Sequence, residues 1–436
     1  MIFKLKKTIK SIIFCLYSFV FNQLPGEFTK RLIKNLSFAF FGIGGATLIT
    51  FGFNVLAIRY LGPNEYGKLS LIISVGEFLV IFMLWGLASS CLRYLGAERK
   101  NWNKIIGSSF CAVVFLGLIF SSIFLFLKPY LEDILKIPSS FYNFALYYAL
   151  IAAFFYLFQS FFQGLEKFKK LSFLLLGSSL IFVILVLFEL FYLKNFSFQT
   201  LFWPNIFRYL MIIIVGLIIF KKALLKFNFQ TFKKLFHYGT FQMLSVFAGF
   251  FSLGNMDNLM INYFLGPTAV GLYAAYYMSF NVFVTKILNT FSQVFLPMAS
   301  GYKDVKELFS RWLIFIKKTF FLILAGNVFL IWLVFQFYGK AFVFDWRLAF
   351  LMALNVALYG FLMILGNIIL SVGIHGAKVG IVFAFLSAMI NVILNFVLIP
   401  HFKLFGTMAA SLISILTIMI LAIWFIKIRL IKNDQI

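Results

Sequence analysis

One seven-residue segment occurs twice in this chain, and the spacing of its copies constrains the fold more than any other feature. Leu-Gly-Pro-Asn-Glu-Tyr-Gly occupies residues 61–67, and Leu-Gly-Pro-Thr-Ala-Val-Gly occupies residues 265–271, 204 positions later. Each copy ends one long apolar run and begins another, and Asn54 and Asn258 keep the same offset. The sequence therefore predicts an internal duplication. Repeats in a polytopic membrane protein indicate a transporter whose substrate site lies between the repeats.

Composition identifies the solvent of this chain as lipid. Hydrophobic residues make up 63% and charged residues 12% of its 436 residues, whereas soluble domains are about half apolar and about a quarter charged. A backbone facing lipid must satisfy its own hydrogen bonds, so spans are helices or closed barrels. Continuous apolar runs of about 20 residues exclude the alternating barrel pattern. We therefore predict an all-α integral membrane protein.

The apolar runs predict about twelve transmembrane helices in two pseudo-symmetric six-helix lobes. The predicted spans are 36–58, 69–92, 105–127, 140–162, 171–193, 199–220, 237–264, 270–296, 312–338, 342–371, 377–399 and 404–426. The predicted units are a cytoplasmic or interfacial N-terminal segment (1–34), the lobes (35–220 and 237–427), a basic cytoplasmic connector between them (221–236) and a cytoplasmic tail (428–436).

The distribution of lysine and arginine tests this count independently. With a cytoplasmic N-terminus, 28 basic residues lie in or next to inside segments, and 8 lie on the outside. This bias follows the positive-inside rule, and one missed or invented helix would invert it downstream. We therefore expect a multi-pass protein of the cytoplasmic (inner) membrane with both termini inside. The net charge of +25 is then mostly topogenic charge facing anionic lipid headgroups, and nucleic acid is not an expected partner.

The N-terminal segment has two possible arrangements. Four lysines precede an apolar stretch at residues 11–21, and no small-x-small cleavage site follows it. The stretch is short for a membrane span. It either lies on the cytoplasmic surface as an amphipathic helix or forms a further span, and the second arrangement would place the lysines outside.

Motifs for catalysis or cofactor binding are absent from the sequence. The three cysteines share no metal or redox spacing, and no P-loop for nucleotide binding occurs. We expect no metal, no cofactor and no enzymatic activity. The driving force for transport is then an ion gradient, the membrane potential or the gradient of the substrate.

Charged residues at membrane depth are the candidates for function, because a charge there costs at least about 2.5 kcal/mol and usually faces a cavity or a partner. Glu77 and Asp257 are candidate coupling or ion-pairing groups, one in each half. Arginine and lysine bind phosphate through charge-assisted hydrogen bonds, so fixed cations favour an anionic substrate. The cationic candidates are Arg59 and Arg93 at span ends, and Arg208 and Lys286 within spans.

Pseudo-symmetry suggests how these residues are arranged. We expect Asp257 and Lys286 to form one side of a midplane site, and Arg59 and Glu77 to form the other. The repeated motif is predicted to make tight outer turns that also act as hinges. The turn or hinge residues are Gly62, Pro63 and Gly67 in the first copy and Gly266, Pro267 and Gly271 in the second.

Four local patterns, in order along residues 35–430, resemble one transporter family. They are Asn-Val-Leu-Ala-Ile-Arg-Tyr-Leu-Gly-Pro-Asn-Glu-Tyr-Gly at 54–67, Gly-Leu-Ala-Ser-Ser-Cys-Leu-Arg-Tyr at 86–94, Gln-Gly-Leu-Glu-Lys-Phe-Lys at 163–169 and Met-Asp-Asn-Leu-Met-Ile at 256–261. Together they resemble the polysaccharide, or O-antigen, flippases of the multidrug/oligosaccharidyl-lipid/polysaccharide exporter superfamily.

The resemblance implies a function. It implies two lobes in a V shape that alternate between inward-open and outward-open states, and a polyprenyl-diphosphate-linked oligosaccharide as cargo for polysaccharide assembly. Membrane lipids and polysaccharide polymerase or ligase proteins are the implied partners. Arg59, Arg93, Arg208 and Lys286 are the diphosphate candidates under this interpretation.

Other functions stay open at this point. An ion-coupled multidrug exporter of the same superfamily would need buried carboxylates that the first span lacks. A lipid II flippase is normally built from fourteen helices. A non-transporting scaffold for glycan assembly fits the duplication and the buried charges less well. A membrane-bound glycosyltransferase or polymerase would need an acidic catalytic cluster in a large loop, and the sequence offers none.

Overall fold

The described part of the chain is almost entirely helical. A computed structural model describes residues 44–252, 254–279, 305–372 and 374–431, so the predicted N-terminal segment and Lys286 lie outside it. The predicted all-α class is confirmed. The helices are α1 (Gly45–Leu84), α2 (Leu87–Ala97), α3 (Trp102–Leu135), α4 (Ser139–Gly164), α5 (Phe168–Leu187), α6 (Gln199–Leu224), α7 (Phe229–Ser252), α8 (Asn255–Leu265), α9 (residues 267–279), α10 (Val305–Tyr338), α11 (Trp346–Ser371), α12 (Ile374–Phe402) and α13 (Leu404–Phe425).

Nine helices in the described ranges are long and apolar enough to cross a membrane. The chain is therefore a multi-pass membrane protein. The longest of these helices, α1, contains residues 45–58 of the first predicted span and residues 69–84 of the second, separated by a bend at Gly62. Predicted span 7 corresponds to α7 and α8 together, and α9 covers the beginning of span 8. Within the described residues, the predicted spans follow the order of these elements, and residues 36–43 of span 1 and 280–296 of span 8 lie outside the description.

The duplicated motif, predicted to make tight outer turns, forms a one-residue break in the helix. Gly62 has φ 74° and ψ 173°, and Gly266 has φ 83° and ψ 176°. Glycine adopts these angles without steric cost. Helix resumes directly at Pro63 and Pro267, because proline suits the first helical position, where no N–H partner is needed. The change of direction therefore needs only one non-helical residue in each copy, Gly62 and Gly266.

Two predicted spans are interrupted. Span 2 breaks where Trp85 and Gly86 both adopt left-handed angles, with φ 46° and 65°, so α1 ends and α2 begins there. Span 7 breaks before α8, where Gly254 has φ 84°. The apolar runs continue through both breaks, so hydropathy alone does not reveal them. Each break lies next to a polar contact, of Trp85 with Thr240 at the first and of Gly254 with Asp257 at the second.

A seam of polar contacts joins the two halves of the chain, where α1 and α2 run beside α7 and α8. Asn258 Nδ2 donates to Ser74 Oγ at 3.0 Å. Trp85 Nε1 donates to Thr240 Oγ1 at 3.0 Å, and Ser90 Oγ donates to the Leu235 carbonyl oxygen at 2.9 Å. These hydrogen bonds satisfy polar groups that lipid cannot satisfy. The seam therefore fixes how the candidate site residues of the two halves face each other.

The predicted connector is largely helical. Helix α6 continues to Leu224 and α7 begins at Phe229, so only residues 225–228 lie between them. Lysines of this segment extend the last turn of α6 and the first turns of α7. A cation near a helix C-terminus is favoured by the helix dipole, as for Lys221 and Lys222. The division into lobes at 221–236 stays a prediction.

Candidate functional site

Asp257 is completely buried in the second half of the chain. The break at Gly254 positions it, because Asp257 Oδ2 accepts from the Gly254 N–H at 3.1 Å and so caps α8. Tyr273 on α9 donates to the same oxygen at 2.6 Å, and Asn395 Nδ2 on α12 donates to Oδ1 at 2.8 Å. No described lysine or arginine forms an ion pair with this carboxylate. A carboxylate held by neutral donors alone keeps an uncompensated charge or binds a cation.

Asn391, one turn before Asn395 on α12, extends this buried cluster. In one orientation of its amide, the nitrogen donates to Asp257 Oδ1 and to the Phe251 carbonyl oxygen, each at 3.2 Å. In this orientation the amide oxygen also accepts from Ser411 Oγ at 3.1 Å. The Asn391 amide therefore adds a further neutral donor to the Asp257 carboxylate.

Glu77 lies in the first half of the chain, where two phenol groups hold its carboxylate. Tyr148 and Tyr156, two turns apart on α4, donate their phenol hydrogens to Glu77 Oε1 at 2.6 and 3.0 Å. The Tyr148 ring packs near Tyr209 on α6, with 6.2 Å between centroids. Glu77 is therefore held by neutral donors, like Asp257. Neither predicted coupling residue has a basic partner among the described residues.

Arg208 lies among aromatic rings on α6. Its Cζ is 5.0 Å from the Tyr209 ring centroid and 5.5 Å from that of Phe182. Its Nη1 donates to Thr50 Oγ1 on α1 at 3.3 Å. None of the ion pairs in the described ranges includes Arg208. Ring faces and one hydroxyl stabilise this cation but do not neutralise it.

The sequence led us to expect Arg59 and Glu77 on one side of a midplane site. In the structure, Arg59 forms no contact with Glu77. Its side chain instead lies over Gly339, where a built Cβ would be 3.3 Å from Arg59 Cγ. Gly339 follows the end of α10, so Arg59 contacts the second half of the chain near its helix ends and is exposed. The break at Gly62, between Arg59 and Glu77, separates them into different arms of α1. The predicted placement of Lys286 beside Asp257 stays a prediction, because Lys286 lies outside the described residues.

Arg93 lies where α2 meets α7. Its Cζ is 4.5 Å from the Tyr238 ring centroid and 5.7 Å from that of Tyr94. Lys234 Nζ lies 4.6 Å from the Tyr94 centroid and forms an ion pair with Glu98. Glu98 thus neutralises Lys234, whereas Arg93 is exposed and forms no ion pair with a described residue. Stacking on Tyr238 fixes the guanidinium plane and leaves its outer N–H groups available to a ligand.

The acidic residue of the loop motif at 163–169, Glu166, has a structural role. Glu166 adopts φ 54° and forms an ion pair with Arg99, across the connection between α2 and α3. Lys167 lies 5.1 Å from the Phe220 ring centroid. Burial, with a smaller contribution from Lys170, lowers the pKa of Lys167. This motif therefore links helix ends and offers no site of its own.

Sequence reasoning missed the neutral residues that complete both sites. Tyr148 and Tyr156 lie 71 and 79 positions from Glu77. Asn391 and Asn395 do carry a signal, because two asparagines one turn apart inside an apolar run are costly in lipid. The described residues hold no group of three or more His, Cys, Asp and Glu side chains that would suit a metal ion. The sites instead depend on amides and hydroxyls.

A profile of the polysaccharide biosynthesis protein family matches residues 32–303. The chain belongs to this family. The match covers most of the chain and includes the first copy and the second copy of the repeated motif, and both Glu77 and Asp257. A similar protein is an uncharacterized membrane protein of Methanocaldococcus jannaschii, 23% identical over 439 residues, covering 92% of this chain and 85% of that protein.

Solved structures of similar fold are transporters of the MOP superfamily. An inward-facing multidrug resistance MATE family transporter superposes with a TM-score of 0.64 at 14% identity, covering 87% of this chain and 96% of that chain. An outward-facing structure of such a transporter gives 0.59 at 14% identity, covering 92% and 96%. A MOP transporter of Pyrococcus furiosus, described by a reversed polarity of its binding pocket, gives 0.58 at 14%, covering 90% and 96%. The fold of this polysaccharide biosynthesis family member is the MOP transporter fold.

Proposed function

We propose that this protein is a flippase that moves a polyprenyl-diphosphate-linked oligosaccharide from the cytoplasmic to the outer leaflet. One observation carries the proposal: Arg208 lies among apolar rings on a spanning helix, without a carboxylate partner in the described ranges. An arginine at this depth costs at least about 2.5 kcal/mol, and its planar fork matches phosphate oxygens. A diphosphate headgroup supplies the charge that the protein does not.

The chemistry of such a cargo fits a two-lobed membrane protein. Sugars and a diphosphate cannot cross about 30 Å of hydrocarbon unaided, whereas the polyprenyl tail can stay in lipid. A polar path between two helical lobes therefore needs to carry only the headgroup. Membership of the polysaccharide biosynthesis family supports a glycan as the headgroup. Binding and release by alternating access require no ATP, and the sequence has no P-loop.

Arg93 supports a first contact for the headgroup at the cytoplasmic surface. It is exposed at the end of α2, it lies against the Tyr238 ring, and it has no described carboxylate partner. The neighbouring rings of Tyr94 and Tyr238 offer faces on which sugars stack. In this proposal, Arg93 binds the diphosphate on arrival, and Arg208 binds it at membrane depth. Arg59, at the outer helix ends, is then suited to binding the diphosphate as it is released. Lys286, in predicted span 8, is a further candidate for binding the diphosphate within the membrane.

Asp257 supports coupling to a cation. Its carboxylate is fully buried, has only neutral donors around it and lies beside two asparagines of α12. Uptake of a proton or of a small monovalent cation would neutralise it, and release would restore the charge. The hydrogen bonds from Gly254 and Tyr273 connect this event to the break before α8 and to α9. Glu77 is the second coupling candidate, held by the phenols of α4.

Localisation and partners follow from the cargo. A lipid-linked sugar made inside the cell requires a cytoplasmic membrane protein, with both termini inside as the positive-inside distribution indicates. Polysaccharide polymerases or ligases would use the delivered product. Thiol labelling of single cysteines, placed in the 225–228 connection and after α10, tests this topology. The connection should react only from the inside, and the other position only from the outside.

Cation-coupled multidrug export is the second candidate, because Asp257 and Glu77 are carboxylates at membrane depth without basic partners in the described residues. Such groups attract organic cations as well as coupling ions. The two functions differ in the sign of the charge that the cavity binds. Arg208 favours the anionic cargo. Loss of drug transport on Asp257→Asn with no effect of Arg208→Ala would favour the export of drugs.

Complementation followed by reconstitution tests the proposal. The protein is expressed in a strain that lacks its lipid-linked oligosaccharide flippase, and surface polysaccharide is measured beside drug tolerance. Purified protein in proteoliposomes is then given a fluorescent polyprenyl-diphosphate sugar, and its transfer between leaflets is followed. Arg208→Ala should reduce transfer, and Lys222→Ala, an exposed cation on the same helix α6, should not. Inserted protein that restores neither glycan nor drug tolerance, and that moves no lipid-linked sugar, would favour a scaffold role.

A further inference from the structure

The two copies of the repeated motif meet each other. Gly67, on the arm of α1 that begins at Pro63, crosses Gly271 on α9, which begins at Pro267. A Cβ built on Gly67 would overlap the Pro267 carbonyl oxygen and lie 2.9 Å from the Gly271 nitrogen. A Cβ built on Gly271 would overlap the Pro63 carbonyl oxygen and lie 2.9 Å from the Gly67 nitrogen. The contact is reciprocal, as a contact on a two-fold axis must be.

The same symmetry relates two contacts that flank this crossing. Arg59 and Tyr263 are equivalent at the 204-residue offset, as are Lys136 and Lys340. Arg59 lies over Gly339, the residue before Lys340, and Lys136 Nζ lies 4.3 Å from the Tyr263 ring centroid. Each contact joins one half of the chain to the other. Three contacts, one central and two lateral, therefore close this end of the protein with pseudo-two-fold symmetry.

Only glycine permits the central contact. Backbones approach this closely in a membrane where both helices present a hydrogen in place of a side chain. The helix starts at Pro63 and Pro267 bring the crossing one turn below the breaks at Gly62 and Gly266. Tyr66 adds a contact beside the crossing, because its hydroxyl lies 2.9 Å from Met278 Sδ. The atoms nearest to the built Cβ positions of Gly67 and Gly271 are all backbone atoms.

We infer that the Gly67–Gly271 crossing is the outer gate of this transporter. The positive-inside distribution places this end of the lobes outside, and in the present state it is closed. A path to the outer side opens only if the two halves separate here, with the lateral contacts of Arg59 and Tyr263 breaking at the same time. Each copy of the duplicated motif therefore packs against the other copy. This assignment of a gate does not depend on the chemistry of the cargo.

Alanine at either glycine tests the gate. Spin labels are attached at Tyr130→Cys on α3 and Val343→Cys after α10, both exposed and in different halves, with the three native cysteines replaced by alanine. In detergent and in nanodiscs, Gly67→Ala and Gly271→Ala should each shift the inter-label distance distribution to longer values. Gly52→Ala, on the first arm of α1 with no atom within 4 Å of the built Cβ, should leave it unchanged. Unchanged distributions in folded Gly67→Ala and Gly271→Ala proteins would overturn the gate, as would a shift in only one of them.

A cross-link provides the reverse test on protein that has already folded with both glycines present. Lys136→Cys and Tyr263→Cys are bridged with a flexible, reducible bifunctional thiol reagent. Transfer of a polyprenyl-diphosphate sugar should fall by more than about tenfold and return on reduction, because a locked gate stops the cycle. Uninterrupted transfer in the cross-linked protein would exclude the gate. Failure of the uncross-linked protein to transfer the sugar would contradict the proposed cargo, and the spin-label result would still decide the gate.

Discussion

Tyr273 donates a hydrogen bond of 2.6 Å to the fully buried carboxylate of Asp257. The two residues belong to α8 and α9, on either side of the break at Gly266, and Asn395 of α12 donates to the other carboxylate oxygen. Three helices of the second half therefore converge on one charge. A change in the charge of Asp257 alters hydrogen bonds to all of them, so this site is well placed to connect ion binding with helix movement.

Replacing Asp257 with asparagine should uncouple transport from the cation gradient. The asparagine side chain keeps the shape of the aspartate but lacks the charge that a proton or a small cation would neutralise. We expect the rate of lipid-linked sugar transfer in proteoliposomes to become independent of imposed sodium and pH gradients. Tyr273→Phe is the matched control, because it removes one hydrogen bond worth about 1.5–3 kcal/mol and leaves the carboxylate. A persistent gradient dependence in Asp257→Asn would move the coupling role to Glu77.

Replacing Arg208 with alanine should weaken diphosphate binding. A charge-assisted hydrogen bond contributes about 1.5–3 kcal/mol, which corresponds to a loss of about tenfold to a hundredfold in affinity. Arg208→Lys should give an intermediate loss, because lysine keeps the charge but not the planar fork. Binding of a short-chain prenyl diphosphate to detergent-solubilised protein measures this effect. Equal affinity in Arg208→Ala and in Lys222→Ala would contradict the role of Arg208 in recognising the headgroup.

Arg93 should act at the arrival of the lipid-linked headgroup rather than at its transfer. Arg93→Ala is expected to raise the substrate concentration for half-maximal transfer several-fold, with little change in the maximal rate, since uniform binding is lost. Lys104→Ala is the control, because Lys104 is an exposed cation in the first turn of α3, and no stacking contact is found for it within the described residues. Similar effects of both changes would indicate general attraction to an anionic membrane surface. A fall in the maximal rate alone would place Arg93 in the path itself.

Gly239→Ala should destabilise the seam between the halves. A Cβ on Gly239 would lie 2.6 Å from the Trp85 carbonyl oxygen, whereas a Cβ on Gly249 in the same helix meets no atom within 4 Å. Overpacking of this kind costs about 1–3 kcal/mol. We expect a lower unfolding temperature for Gly239→Ala in detergent and an unchanged or slightly higher one for Gly249→Ala. Equal melting of the two variants would show that α2 and α7 can move apart without cost.

The sequence alone was sufficient to predict the class of fold and the internal repeat. It was also sufficient to identify the charged residues whose insertion into lipid costs the most free energy. Apolar runs must become helices, since lipid offers the backbone no hydrogen bonds, and charged residues within predicted spans, such as Asp257 and Arg208, are visible as exceptions. Glycine and proline in the repeated motif indicated a change of direction. Their geometry was less predictable, because the break occupies a single residue, Gly62, and helix continues directly after it.

Only the tertiary structure decided which residues meet. A helix that is apolar on all sides gives no indication of which face it turns towards its neighbours. The spacing of residues in the sequence therefore could not show that phenols bind Glu77, that amides bind Asp257 or that aromatic rings surround Arg208. The contact between Gly67 and Gly271 joins residues 204 positions apart. The sequence determined that two copies of the motif exist, because the duplication is written in it. Packing of the halves determined that the two copies meet, because a glycine in each helix lets the two backbones approach closely there.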